Sequence, residues 1–423
     1  MKGYQICARR DTRQLAEFLT VNGQMLIPMV ELVETAQLAV DDLLEHLGRA
    51  TLEAVLSISA AQLAGASHQG KPGGEIVRHG RQQGVVPLAN RKIHVSRPRL
   101  RRKPGGDGGE VDVPAYSAMR QDKRLSAKVL DTLMRGVSTR NYQKILPDAC
   151  EAVGVSKSSI SREFVEASEQ TYKALLERKF DDLDILVVYI DGVVFGEHHV
   201  LAAIGIDTGG YKHVLGVAQG ASENATVVTA LLESLVERGV KPGVKRLFVI
   251  DGSKALRKAI DAVYGSDNPV QRCRLHKERN VLDHLPEEQK GYAQLTMRAA
   301  FRLDAGTGMK RLQDLAANYE KSYPSAAASL LEGLSEMFTV NRLGVPPALS
   351  RCLVSTNIIE SPNAGVRVRT DRVTRWKDGE MVLRWAAAAF VAAEAQFRRV
   401  TGYGDLWMLS SALGRNGAEA KAA

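Results

Sequence analysis

The sequence predicts an α/β core built on a mixed five-stranded sheet with a helical insertion. Before it stands a mostly α N-terminal region with a basic β segment and a helix-turn-helix-like unit. Three observations carry this. Residues 185–190 form a near-continuous apolar run and 244–250 end in the apolar Leu247-Phe248-Val249-Ile250, as buried strands require. Between and after them, alternating and helical patterns follow in a fixed order. The charge surplus sits in one short stretch rather than over the whole chain.

The 423 residues correspond to about three domains at the usual ~150 residues each. At 44% hydrophobic and 25% charged the composition is that of a globular protein, neither disordered nor fibrous. The longest apolar run, around Trp385 to Ala393, is about half of the roughly 18 residues a membrane span needs, so no membrane partner is expected. The N-terminus MKGYQICARRDTRQ is charged where a secretion signal would be apolar, and a cytoplasmic protein is expected, nucleoid-associated when bound to DNA. Four scattered cysteines (Cys7, Cys150, Cys273, Cys352) make no disulfide framework.

Residues 1–70 read as helical, with Val33, Gln37, Val40, Leu43, Leu44, His46 and Leu47 at helical spacing. A Gly, Ser, His and Pro cluster at 67–80 reads as a linker. Residues 71–115 form the basic β-like segment. Its part 71–103 holds ten basic residues and one acidic, net +9, equal to the surplus of the whole chain. The end of this stretch, including Arg97, Arg99, Arg101, Arg102 and Lys103, has no acid, and a polyanion would relieve the self-repulsion. A solvated basic loop is the plainer alternative. Pro98 makes any strand here an edge strand at best. A Gly-rich break follows at 103–109.

Residues 116–180 read as the helix-turn-helix-like unit. One helix holds Leu125 to Met134 and Gly136 ends it. A second, begun at Ser138, runs to about Val153, with Pro147 kinking or splitting it. Ser156 caps a third, with Ile160, Phe164, Ala167 and Leu175 on one face. The small, polar and basic first turn, with Ser156, Lys157, Ser158 and Arg162, suits phosphate and base-edge contact. An ordinary three-helix packing unit is the alternative.

The core, 181–410, begins with strand 185–190, then alternating strands 199–206 and 213–219 joined by a Gly-Gly hairpin. A helix at 224–237, strand 244–250, helix 253–264 and a short strand 270–275 follow. Three antiparallel strands, a helix, a strand, a helix and a strand is the order of an RNase H-like sheet. Helices at about 280–284, 289–303, 310–321 and 325–338 form an insertion spanning 277–349, and a helical region at 358–400 closes the domain. Residues 411–423 read as a disordered tail.

Two carboxylates share one setting: Asp191 after VVYI and Asp251 after FVI, each followed by Gly. One Asp-Gly is a common turn signal. Two at the ends of neighbouring strands could bridge metal ions, and two-metal phosphoryl transfer needs such carboxylates on Mg²⁺ or Mn²⁺. A third acid is available in Ser355-Thr356-Asn357-Ile358-Ile359-Glu360, with Arg367 and Arg369 following as candidate phosphate contacts. Glu360 is also an ordinary first-turn helix Glu, and Glu380 is its nearest rival. Cys273 and His276 supply only two zinc-type ligands. The pair reads instead as ordering the region beside the acids, with Arg279 and Asn280 available to DNA.

Together YIDG, VIDGSKAL, Cys273-x-x-His276-x-x-Arg279-Asn280 and STNIIESPN, over roughly 120–400, resemble the mutator-type transposases of bacterial insertion sequences, a DDE, RNase H-like family. The basic residue seven positions after the Glu, Arg367, also fits. The resemblance implies a catalytic and metal-binding triad of Asp191, Asp251 and Glu360 with two Mg²⁺ or Mn²⁺ ions. It further implies binding of terminal inverted repeats, cleavage of element ends, and joining of the 3′-hydroxyl to target DNA. A homodimer or higher oligomer on DNA follows from pairing two ends. A DNA-binding regulator with an inactive nuclease core, or another RNase H-like nuclease, are the competing readings. One departure is Ser361-Pro362 directly after Glu360, from which a helix that starts later or kinks is expected.

Overall fold

The computed structural model describes residues 23–66, 74–88, 91–103, 109–121, 123–139, 142, 156–220, 224–371 and 373–415. The chain divides into two compact units, 1–132 with 137–164, and 133–136 with 165–423.

In the first unit, helix α1 (Gly23–Ala64) lies on a three-stranded antiparallel sheet of β1 (Ile76–Leu88), β2 (Arg91–Arg102) and β3 (Glu110–Val111). Leu56, Ala60 and Ala64 of the helix are buried with Val86, Ile93, Val95, Leu100, Val113 and Tyr116. The basic segment is therefore a two-stranded ribbon packed by its apolar face. Two expectations change here. The strand begins at Ile76, inside the stretch read as a linker. Moreover, Pro98 sits in the middle strand, not on an edge. It is tolerated because it pairs opposite Arg81, beside a bulge between Arg78 and Arg81, while β3 reaches only Leu100 and Arg101. The Gly-rich break at 104–108 lies outside the described residues.

A short helix α2 (Pro114–Arg120), not anticipated, opens on Pro114, whose missing N–H is an orphan of the first turn in any case. Its Tyr116 presses on Gly84, where a Cβ would come within 2.7 Å of the ring. Helix α3 (Arg124–Met134) ends at Gly136, which adopts φ 115°, as its sequence position predicted. The second helix of the expected unit, from Ser138 to about Val153, falls outside the described residues except for 138–139 and 142, none of which is helical. Helix α4 (Lys157–Glu177) starts where expected, with the Ser159 N–H donating to Ser156 Oγ at 3.2 Å. Ile160, Phe164, Ala167 and Leu175 are buried.

The second unit is built on a mixed five-stranded sheet of order β6-β5-β4-β7-β8: β4 (Ile185–Phe195), β5 (His198–Asp207), β6 (Lys212–Gln219), β7 (Leu247–Ile250) and β8 (Val270–Arg272). Strands β4, β5 and β6 pair antiparallel, and β7 and β8 run parallel to β4. Helices α5 (Ala225–Glu237) and α6 (Lys254–Tyr264) cover one face, burying Leu232, Leu235, Leu256 and Ile260 against Val188, Ile190, Leu201, Phe248 and Ile250. Because side chains alternate along a strand, positions 187, 189 and 191 of β4 face the other side. There lie α13 (Asn357–Thr370), packed on β4, and α14 (Gly379–Glu394), packed on β5 and β6.

The insertion has a hydrophobic core of its own, including Val281, Met297, Leu312, Leu330 and Phe338. Its helices are α7 (Arg274–Leu282), α8 (Glu287–Phe301), α9 (Ala305–Tyr319), α10 (Pro324–Leu331), α11 (Thr339–Leu343) and α12 (Pro347–Leu353). It begins earlier than expected. The fifth strand stops at Arg272 because Cys273, whose N–H still bonds Ile250 O at 2.8 Å, starts helix α7. The tail expected from 411 is ordered in its described part, 411–415, and the rest of it lies outside the described residues. Helix α15 (Leu406–Ala412) continues into it, and Arg415 pairs with Asp184. Among the described residues, no helix is long and apolar enough to cross a membrane.

Candidate active site

The two aspartates meet through strand register. Strand β4 pairs β7 in parallel with Ile190 opposite Ile250, so Asp191 and Asp251 occupy the next step on neighbouring strands. Both follow residues whose side chains face α5 and α6, so both lie on the opposite face, toward α13. Asp191 is only 8% exposed. Its Oδ2 accepts a hydrogen bond from Asn363 Nδ2 at 3.0 Å. Burial pushes its carboxyl up to about 6; His276 and the Gly192 N–H oppose the rise, and Asp251 and Glu360 add to it.

Asp251 Oδ1 accepts from the Ser253 N–H at 2.9 Å, and Ser253 in turn caps α6. The turn between them needs Gly252. Its φ is 110°, and a Cβ there would stand 2.7 Å from Arg272 Nε. Gly192, by contrast, is exposed with nothing within 4 Å of its Cβ position, leaving the approach to Asp191 open.

Glu360 stands in the first turn of α13. That helix starts before the proline and carries Pro362 inside it, so the expected later start does not occur. Pro362 forfeits one helix bond, but its ring is buried together with Ile359, Asn363 and Val366, which holds the helix in place. Thr356, fully buried, links the elements. Its Oγ1 lies 2.9 Å from Glu360 Oε1 and 3.3 Å from Cys273 Sγ, and its N–H donates to the same sulfur at 3.4 Å. His276 Nδ1 is 3.5 Å from Thr356 Oγ1, and His276 Nε2 is 3.8 Å from Glu360 Oε1. Thus Cys273 and His276, at the start of α7, do lie beside the acids.

Among the described residues, ligand-type atoms of Cys273, His276 and Glu360 lie within 4.8 Å of one another, whereas Asp191, Asp251 and Glu360 do not form so compact a set. The hydrogen bond with Cys273 raises the His276 imidazole to about 9, against burial and with help from the Cys273, Asp191 and Glu360 charges. Burial would push the Cys273 thiol up, but bonds with His276 and Thr356 bring it below its ordinary value. An imidazole that holds its proton has no lone pair to give a metal, so a cation would bind this trio only by displacing that proton. Glu380, the rival acid, is exposed at the start of α14, 4.0 Å from Arg384.

A cleft of about 420 Å³ is lined by Asp191, Asp251, His276, Lys277 and Asn280, with Glu332 from the insertion. Glu332 lies 3.5 Å from Lys277, 3.4 Å from Arg272 and 3.7 Å from Lys254.

The basic candidates divide by use. Arg97 stacks 4.1 Å from the Tyr116 ring centroid, Arg99 pairs with Glu110 at 3.1 Å, and Arg101 is half-buried. Arg102 and Lys103 are exposed. Ser156, Lys157, Ser158 and Arg162 are exposed at the start of α4. Arg279, Asn280 and Arg367 are exposed, whereas Arg369 turns back to Gly365 O at 3.0 Å. In the sequence Thr356 and Asn363 stand out only as parts of the STNIIESPN motif. Their spacing from Glu360, four residues before and three after, is the helical signal that places all three together.

The family model described as Transposase, Mutator family matches residues 22–400. The chain is 29% identical over 293 residues, 67% of this chain and 72% of the other, to the transposase for insertion sequence element ISRM5 of Rhizobium meliloti (strain 1021). It is 30% identical over 268 residues (60% and 66%) to the transposase for insertion sequence element IS256 in transposon Tn4001 of Staphylococcus aureus. It is 25% identical over 401 residues (90% and 93%) to the transposase for insertion sequence element IS1081 of Mycobacterium tuberculosis (strain ATCC 25618 / H37Rv). With a match that spans most of its length, the chain belongs to the Mutator family of transposases.

Proposed function

We propose that the second unit is an RNase H-like DDE catalytic domain in which Asp191, Asp251 and Glu360 hold two divalent cations, Mg²⁺ or Mn²⁺. The protein would bind the terminal inverted repeats of an insertion sequence, cut its ends and join the 3′-hydroxyl to target DNA. The observation that carries this is the register of β4 and β7, which sets two aspartates side by side at the mouth of a cleft. The residues fit such ions. Carboxylate oxygens are the hard donors these cations prefer. Asp191, buried and pushed up to about 6 beside two further acids, carries a charge that the protein alone leaves poorly compensated.

When bound, the cations would activate a water or 3′-hydroxyl and stabilise the leaving oxygen. The chain's own part is to hold the donors. Asp191 is fixed by its pairing with Ala202 on β5 and by Asn363. Asp251 is fixed by the Gly252 turn. Glu360 is tied to Thr356 and His276. For DNA, the exposed first turn of α4, as part of a helix-turn-helix, and the exposed Arg102 and Lys103 suit phosphate contact. Pairing of two element ends calls for a homodimer or higher oligomer on DNA.

The test is cleavage and strand transfer in vitro with the element's paired ends and Mg²⁺. Asp191→Asn, Asp251→Asn and Glu360→Gln are each expected to abolish both steps while retaining gel-shift binding to the ends. Full Mg²⁺-dependent cleavage by Asp191→Asn would refute the mechanism. Binding without cleavage by the unmutated protein would favour a regulator with an inactive core.

A further inference from the structure

Asn363 is 3% exposed and stands one helical turn after Glu360. Its Nδ2 donates to Asp191 Oδ2 at 3.0 Å. The amide cannot be turned over, because its oxygen would then face an ionised carboxylate oxygen, acceptor against acceptor. Its Oδ1 is therefore directed away from Asp191, and it is a buried acceptor with no hydrogen-bond partner in the protein. A buried amide oxygen left so costs about 1–3 kcal/mol, and such atoms call for an explanation. The fold had apolar alternatives at this position, which packs among Ile359, Pro362 and Val366. A residue placed for packing alone would not carry an orphaned acceptor against an acid.

Resting on the metal-site reading above, we propose that Asn363 is a positioning residue of the site. One end of its amide fixes the carboxylate of Asp191, and the other accepts a hydrogen bond from the hydration shell of the cation that Asp191 holds. The helix is the means. Glu360 and Asn363, three residues apart, lie on one face of α13, so one rigid element would deliver a carboxylate and the support for a second carboxylate borne on β4.

The experiment is Mn²⁺ binding to the full chain without DNA, by titration calorimetry and by loss of the free-ion EPR signal. It compares the unmutated protein, Asn363→Ala, Asn363→Ser and Asp191→Asn, each checked by thermal unfolding in EDTA. Asn363→Ala and Asn363→Ser are expected to weaken Mn²⁺ binding by about tenfold to a hundredfold, the usual effect of losing a group that orients a ligand. Their EDTA melting temperature should fall only modestly, since losing the orphaned oxygen with the amide offsets part of the cost of leaving Asp191 without that donor. Should one of the two fail to fold, the other supplies the same readout. Unchanged Mn²⁺ affinity in an Asn363 variant, with affinity lost in Asp191→Asn, would overturn the role of Asn363 alone. Unchanged affinity in Asp191→Asn would instead overturn the metal-site reading on which it rests.

Discussion

Asp191→Asn should make the metal-free protein more stable at alkaline pH. The carboxyl stands near 6 in the fold against an ordinary 3.8, about two pKa units, mainly because it is buried. At ~1.4 kcal/mol per unit the ionised form therefore costs the fold about 3 kcal/mol. The sign follows from proton binding. Because the folded-state pKa is the higher one, the fold holds its proton longer than the unfolded chain does. Stability from this group is thus fully present below about pH 4, is lost as the pH rises to about 6, and stays lost above. Asparagine never ionises and can still accept the Asn363 bond through its own oxygen. Unfolding followed in excess EDTA should show matched stability near pH 4. Near pH 8 the variant should melt higher, on the order of 5–10 °C for a unit of this size. Added Mn²⁺ should narrow or reverse the gap by stabilising only the unmutated protein. A variant no more stable at pH 8, or a gap independent of pH between 4 and 8, would refute the reasoning. It would mean that His276 already compensates the charge in full.

Gly252→Ala should destabilise the protein by more than about 1 kcal/mol and depress cleavage further than binding. A side chain at φ 110° is strained, and its Cβ would drive Arg272 out of place beside Asp251; melting curves and cleavage rates test this. In the basic ribbon the cations should separate into two kinds. Arg102→Gln and Lys103→Gln should each lower the slope of log affinity against log salt by up to ~0.9 and leave stability unchanged. Arg97→Gln should chiefly lower stability, through loss of its stacking on Tyr116. An unaltered salt slope in the Arg102 and Lys103 double variant would leave the ribbon without a phosphate role.

Much of the sheet was legible in the residues. Strand β4 and helices α5 and α6 follow from local signals: an unbroken apolar run, and the Asn224 and Ser253 caps. The errors came where tertiary contact overrode local preference. Pro98 argued for an edge, yet a bulge on one side and a two-residue partner on the other admit it to the middle of a sheet. Pro362 argued for a helix that starts later or kinks, yet the helix starts at Asn357 and runs through the proline, whose buried ring outweighs one missing bond. The pattern 270–275 read as strand, but the hydrogen bonds of Cys273 and the turn of α7 begin inside it.

The sequence by itself determined which residues could do chemistry here: two aspartates each ending a buried strand before glycine, a later Glu360, and a Cys-x-x-His between them. These are local facts, set by the order of side chains along one backbone. Only the tertiary structure decided their company. Parallel pairing of β4 with β7 across nearly sixty residues of chain sets Asp191 beside Asp251. Burial of one face of α13 brings Asn363 to Asp191 and Thr356 to Cys273. It also decided which arginines are already engaged within the protein, Arg97 on a ring and Arg99 on Glu110, and which face solvent. A charge count cannot tell these apart, because the pairing of a cation depends on what the fold places within a few ångströms of it.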